Sequence, residues 1–217
     1  VYEIIYAGTV TDTNPITIAF NWMAEELEAR TDGRMKMTLY PNNTLGDTRA
    51  NIEAMQNNSV QIGEGSSAPL AIFTQDFMPM SLPFFFASYE NAYNFAESDF
   101  MAQLADKMAQ EVGVRPVGWM LNGARCLSNS KTPVVSPEDM KGLKIRVMEN
   151  DIYIKTFAAL GASPTAMSFA EVFTALQQGT VDGQDNPSNI TNTSKFYEVQ
   201  KYFTDLYHCI DLAPVMV

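Results

Sequence analysis

The sequence predicts an α/β protein in which parallel strands are covered by helices, and three observations carry this. Strand and helix signals alternate along the whole chain. Glycines stop the helical patterns at Gly33, Gly161 and Gly179. No Pro/Gly/Ser-rich linker, repeat or low-complexity segment divides the 217 residues. Any two lobes must therefore be joined by strands, as in hinged receptors, and not by a flexible tether.

The elements follow in order. Tyr2–Gly8 reads as a strand. Asn14-Pro15 supplies an N-cap and a first-turn proline for a helix to about Thr31, with Ile18, Trp22, Met23 and Leu27 as its apolar stripe. Arg34–Tyr40 alternates Met35, Met37 and Leu39 with Lys36, Thr38 and Tyr40, the pattern of a half-buried strand. Asp47 or Thr48 opens a helix with Ile52 and Met55 inward, and Ser59–Gly65 is a short strand. Helices follow at about Tyr89–Ala96 and Asp99–Val112. The second is capped by Ser98 and carries Phe100, Leu104 and Met108 four apart. Val114–Asn122 and Arg125–Ser130 are two extended runs. Ser136-Pro137-Glu138-Asp139 starts one helical turn that Gly142 stops. Leu143–Val147 is a strand and Asn150–Leu160 a helix. Ser168-Phe169-Ala170-Glu171 reads as a capping box opening a helix along Phe169, Val172, Phe173 and Leu176. Val181–Asp185 is a strand, and Val199–Thr204 and Tyr207–Val217 are extended.

Composition narrows the function. Apolar residues make up 46%, too many for a disordered chain. No apolar run approaches the ~20 residues that cross a bilayer. The longest patch, Leu82-Pro83-Phe84-Phe85-Phe86-Ala87, is expected in the core in preference to a partner-facing edge. The first residues have no initiator Met or apolar signal core, as in a processed or trimmed chain. The net charge of −11, from 25 acids and 14 bases, repels phosphate backbones and anionic membranes, so neither nucleic acid nor membrane insertion is expected. A small anion stays open to such a protein, because one or two buried arginines act locally.

Enzyme signatures are missing. There is no GxSxG, GxGxxG, GxxxxGK[ST] or HExxH, and Cys126 and Cys209 have neither zinc nor CxxC spacing. They are read as buried thiols in preference to a disulfide. His208 is the one histidine, so no multi-histidine metal site is expected, nor any cofactor. Asp182, Asp185 and Glu149 fall near strand ends, where a carboxylate pair serves acid–base chemistry. The plainer reading makes them solvated loop acids.

The informative residues stand at the carboxyl ends of predicted parallel strands, the edge where open α/β sheets bind ligands. Arg146 ends the strand Leu143–Val147, on the face opposite residues 143, 145 and 147. Its fork of donors matches a carboxylate there; an exposed strand-end arginine is the alternative. Asn186 is placed to donate to the same carboxylate, or is simply the N-cap before Pro187. Arg125 joins two extended runs as a ligand contact or a hinge salt bridge. Phe169 is a pocket wall or ordinary core.

At these residues the chain resembles the DctP-type solute-binding proteins of TRAP (tripartite ATP-independent periplasmic) transporters. The likeness is carried by Lys141–Val147, by Gly161-Ala162-Ser163-Pro164 with Phe169-Ala170-Glu171-Val172, and by Val181–Pro187. Phe196–Tyr202, Tyr40–Asp47 and Asn122-Gly123-Ala124-Arg125 extend it over nearly the whole chain. The resemblance implies a periplasmic two-lobed clamshell: mixed, mostly parallel sheets flanked by helices and joined by crossing strands. Lobe I is expected over 1–123 and lobe II over 124–211, with 212–217 crossing back. Members continue beyond the position of Val217, so the C-terminal part of the fold is expected to be missing here.

The same resemblance implies an extracytoplasmic receptor that delivers an organic acid to membrane permease subunits. C4-dicarboxylates, sugar acids, keto acids and aromatic acids are the candidate classes. Arg146 falls on the carboxylate-gripping arginine, Asn186 on its helper, Arg125 on a second arginine, Phe169 on a pocket aromatic and His208 on a histidine near the pocket. Tyr6, on the first strand, joins the ligand contacts. Ser66 stands where sialic-acid binders carry an acid, which argues against sialic acid. Glu149 is expected to accept from a ligand hydroxyl or amine. An α/β enzyme acting on a carboxylic acid, or a ligand-binding sensor domain, are the rival readings.

Overall fold

The computed structural model describes all 217 residues. β1 (Tyr2–Ala7) leads to α1 (Pro15–Arg30), where the Asn14 side chain accepts from the Ile16 amide at 2.9 Å. β2 (Met35–Tyr40), α2 (Thr48–Gln56) and β3 (Ile62–Glu64) follow. Two 3₁₀ segments (Ala68–Ile72 and Gln75–Ser81) precede α3 (Tyr89–Ala96) and α4 (Asp99–Val112). β4 (Pro116–Asn129) is the longest strand. After it come β5 (Lys144–Val147), α5 (Asp151–Ala159), β6 (Ser163–Ala166), α6 (Val172–Gln178), β7 (Gly183–Pro187), α7 (Ser188–Thr193), β8 (Tyr202–Thr204) and β9 (Ile210–Met216).

The strands lie in the order β2-β1-β3-β9-β4-β7-β5-β6, with β8 also on β4. The sheet is mixed. β1 pairs in parallel with β2 and β3, and β5 with β6 and β7. All ladders of β4 are antiparallel, as is β3 with β9. β4 changes partner midway: up to Ala124 it pairs with β9, and from Arg125 with β7. It is one strand where two runs were expected, bridging Gly123 with a register irregularity.

Successive residues of a strand face opposite ways, so each sheet face has its own core. Ala7 packs with Ile52, Leu70, Phe77 and Met108, while Tyr6, one residue earlier, packs with Ile16, Phe20 and Ile190. Ile145 and Val147 bury against Tyr153 and Phe157 of α5. Arg146 between them is thereby turned to the other face. Each fully buried large apolar side chain contributes about 1.5–3 kcal/mol relative to exposure.

Several local expectations are corrected. α1 buries Ile16, Thr17 and Phe20, whereas Ile18 and Trp22 are exposed. These two sit two residues on from Ile16 and Phe20, about 200° round the helix. In α4 the buried row is Met101, Ala105, Met108 and Val112, one residue on from Phe100, which is exposed. In the Leu82–Ala87 patch only Phe86 among the large apolar side chains is buried; Leu82, Phe84 and Phe85 are exposed. The capping box at Ser168 does not form: Phe169–Glu171 makes a 3₁₀ turn and α6 starts at Val172. Asn186 is no N-cap, because β7 runs through it and Pro187 precedes α7. Both cysteines are buried free thiols. No helix is long and apolar enough to cross a membrane.

Candidate functional site

A cleft opens at the carboxyl ends of β1, β3, β5 and β6. Thr9 and Val10 line it after β1, Glu64 and Ser66 at the end of β3, and Met148 and Glu149 after β5. Met167 and Phe169 follow β6, and Asn122, Arg125, Asn186 and Asp211 close the floor from β4, β7 and β9.

Arg146 is the buried cation of the cleft that has no carboxylate partner. The side chain is 2% exposed. Its Nε and Nη2 both donate to the Met167 carbonyl, at 3.0 and 2.8 Å. Nη1 is buried without a partner, and no carboxylate stands within 4.0 Å of the guanidinium. Phe169 offers its ring 5.9 Å from the guanidinium carbon. Burial pushes the Arg146 pKa down to about 10, against the opposing pull of the Asp185 carboxylate. The group stays cationic at neutral pH, with both N–H donors of Nη1 unspent.

Arg125 lines the same cleft, fully buried, but its donors are spent inside the protein. Nε donates to Asp185 Oδ2 at 2.6 Å and Nη1 to Asp211 Oδ2 at 3.1 Å. Nη2 donates to the Asp185 carbonyl and to Asn186 Oδ1. Burial acts to lower the Arg125 pKa, but Asp185 and Asp211 outweigh it and raise it. The reading of Asp185 as a solvated loop acid is therefore corrected: it has no exposed surface, and Arg125 holds its carboxyl below the usual range despite burial. Asn186 is committed as well, with its Nδ2 donating to Gln184 Oε1.

Ser66 lines the cleft and donates to Asp211 Oδ1 at 2.7 Å. Glu149 is exposed at its rim. Two expected contacts are not brought to the cleft. His208 lies behind it, its ring 5.4 Å from that of Phe157 and 6.0 Å from that of Tyr153. Its Nε2 is 3.5 Å from Asp185 Oδ2, but burial lowers its pKa and leaves it neutral. Tyr6 is wholly buried against Phe20, with ring centres 4.1 Å apart. Its position alternates to the α1 side of β1.

Sequence reasoning missed Glu64, Asp211 and the cleft-lining Asn43 and Asn122. Glu64 is 1% exposed; its Oε1 accepts from the amides of Thr9 at 2.6 Å and Val10 at 3.3 Å and from the Thr9 hydroxyl at 3.2 Å. Burial raises its pKa, and these donors pull the other way. A signal was present for Asp211: a lone acid inside the apolar run Cys209-Ile210-Asp211-Leu212-Ala213 must be buried and paired.

The chain is 38% identical over 187 residues to a solute-binding protein of Verminephrobacter eiseniae, covering 86% of this chain and 56% of that protein. It matches the sugar acid binding protein DctPAm of Advenella mimigardefordensis, solved with galactonate, at a TM-score of 0.96 and 33% identity. That match covers 99% of this chain and 69% of DctPAm. A TRAP periplasmic solute binding protein of Polaromonas sp. JS666, bound to D-erythronate, matches at 0.95 and 33% identity, with 100% of this chain and 71% of that one covered. The chain thus spans little more than half of its curated relative and about seven-tenths of these structures. The sequence model described as bacterial extracellular solute-binding protein, family 7, matches residues 6–217, and the chain belongs to this family, the DctP family.

Proposed function

We infer that the chain is the capture unit of an extracytoplasmic solute receptor of a TRAP transporter. It works in the periplasm, takes a small organic acid by its carboxylate and passes it unchanged to membrane permease subunits. One observation carries the reading: the Arg146 guanidinium is buried in the cleft, cationic, and has an unpaired Nη1. An unpaired buried charge is costly to the empty protein, and an incoming carboxylate relieves that cost. Phe169 flanks the guanidinium, and Asn186 and Arg125 form the floor behind it.

Capture in place of catalysis fits the acids present. Asp185 is tied to Arg125, and Asp182 does not line the cleft; it accepts from the Lys144 amide at 2.9 Å. Glu149 stands at the rim. None of these forms the close carboxylate pair that acid–base work needs. The acid ligands of the DctPAm and Polaromonas structures support the ligand class.

Closure is proposed as motion of residues 1–123 against 124–211, with 212–217 returning to the first lobe. The change of β4 partner between Ala124 and Arg125 supports that division. The ligand drives closure only through contacts that improve when the lobes meet.

The test is calorimetry with the acid that gives the largest shift in a thermal screen of organic acids. Arg146→Ala should weaken binding by about a hundredfold or more while the unfolding transition survives. Unchanged affinity in Arg146→Ala rules out the carboxylate assignment, and chemical conversion of the recovered acid rules out simple capture.

A further inference from the structure

The geometry points to Asn150 as a positioning residue: its side chain pins the two walls of the cleft to each other on the axis about which the lobes turn. This rests on the two-lobed closure proposed above and is independent of the role of Arg146.

Asn150 belongs to the second lobe, just past β5, and caps α5. Its Oδ1 accepts from the Ile152 amide at 2.9 Å. Its Nδ2 crosses to the first lobe, donating to the Ala68 carbonyl at 3.0 Å and to Ser81 Oγ at 3.2 Å. Both amide hydrogens and the oxygen are thus engaged, and a flipped amide would set Oδ1 against the Ala68 carbonyl. Asn150, Ala68 and Ser81 are all buried. The cap needs only an oxygen, which Ser or Asp supplies equally well. The amide nitrogen is the part that joins the lobes.

The segment that receives Asn150 is held from both sides. Leu70, Phe77 and Met80 lie in the first-lobe core with Ala7 and Ile52, whereas Ala68 packs with Ile145, Val147, Tyr153 and Phe157 of the second. Further contacts carry this seam to the strand crossing. The Tyr153 hydroxyl donates to Cys209 Sγ at 3.3 Å, and that thiol faces the Met80 carbonyl at 3.6 Å. The Cys209 carbonyl accepts from the Arg125 amide at 2.8 Å, where β4 leaves β9 for β7. Asn150 therefore stands at one end of a buried seam and the strand crossing at the other. Points fastened to both bodies stay together when the bodies rotate, so the seam marks the axis. Pulling Asn150 from Ala68 would strand a buried donor and a buried carbonyl, which costs more than swinging about them. Ser66 and Pro69 flank the Ala68 end of the pin, Met148 and Glu149 precede Asn150, and all four line the cleft. The pin thus sets the spacing of the loops that follow β3 and β5.

The test reads the separation of the lobes in the unliganded protein. Spin labels on Lys36→Cys in β2 and Ser163→Cys in β6 report it by double electron–electron resonance. Both positions are exposed, on the two edge strands of the sheet, and the native thiols are buried. The parent should give narrow distance peaks. Asn150→Asp keeps the cap and the side-chain size but loses the donor to Ala68. It should spread those peaks into a broad distribution while the melting transition stays cooperative. Asn150→Ser, a capping side chain too short to reach Ala68, should do the same. Narrow peaks retained in both variants, with only the melting temperature changed, overturn the proposal and leave lobe closure standing. A parent already as broad as the variants overturns the pin together with the fixed division into lobes. Should neither variant fold, the unaltered chain decides. The side-chain amide hydrogens of Asn150 should then exchange with solvent at least about tenfold more slowly than those of exposed Asn21, and equal rates overturn the pin.

Discussion

Arg125 Nε and Asp185 Oδ2 stand 2.6 Å apart, and neither side chain has any solvent exposure. The pair sits directly beneath the cleft, where β4 leaves β9 for β7. Asp185→Asn leaves a buried guanidinium with Asp211 as its only carboxylate, and should cost about 3–5 kcal/mol in urea unfolding. Burial alone raises a carboxyl pKa, but Arg125 reverses the sign and holds Asp185 below its usual range. The stability it contributes is complete above the ordinary carboxylate value of about 4 and is lost as pH falls through the lowered one. The Asn variant should lose that acid-limb slope.

Arg146 behaves oppositely. Since no carboxylate pairs with it, Arg146→Met removes a desolvated charge and fills the space with an apolar chain of similar reach. The unliganded variant should be more stable by about 1 kcal/mol or more in denaturant melts, and should show no thermal shift with organic acids. A variant less stable than the parent argues that the arginine is a structural member.

His208 is the only histidine, so His208→Gln isolates the imidazole's share of the pH dependence of stability between pH 7 and 5. Burial lowers its pKa, with Asp185 opposing. The unfolded chain therefore takes up the proton first, near pH 6.5. Stability should be full above that pH and should decline as pH falls towards the lowered folded value. As pH falls across this range, the urea midpoint of the parent should drop relative to that of His208→Gln.

Gly123 has φ of 127° at the irregularity of β4, and an added Cβ would lie 3.0 Å from the Pro187 side chain. Gly123→Ala combines a rarely adopted backbone with contact against a fixed ring. It should cost about 1–3 kcal/mol in denaturant unfolding.

The sequence carried Arg146 well, because period-two alternation and a strand end are local signals that survive folding. It carried the buried acids badly. Asp185 and Asp211 meet Arg125 across 60 and 86 residues, and no local pattern encodes such a pairing. Glu64 was lost for the same reason, since its donors are 54 and 55 residues away. In α1 two apolar rows compete, and only the sheet decides that Phe20 turns inward and Trp22 outward. His208 shows a different limit: the family resemblance brought it near the ligand, and the Arg125–Asp185 layer keeps it one shell behind.

The charge layout has a kinetic outcome. At long range the chain, with its net charge of −11, pushes anions away, and the unspent cation is sensed only at the bottom of the cleft. Mobile ions blunt the outer repulsion, whose reach is about 10 Å at 0.1 M salt, and leave the desolvated contact almost untouched. Arrival of the acid should therefore quicken as ionic strength rises, while its dwell time holds steady, the reverse of a receptor that draws its cargo with a positive surface.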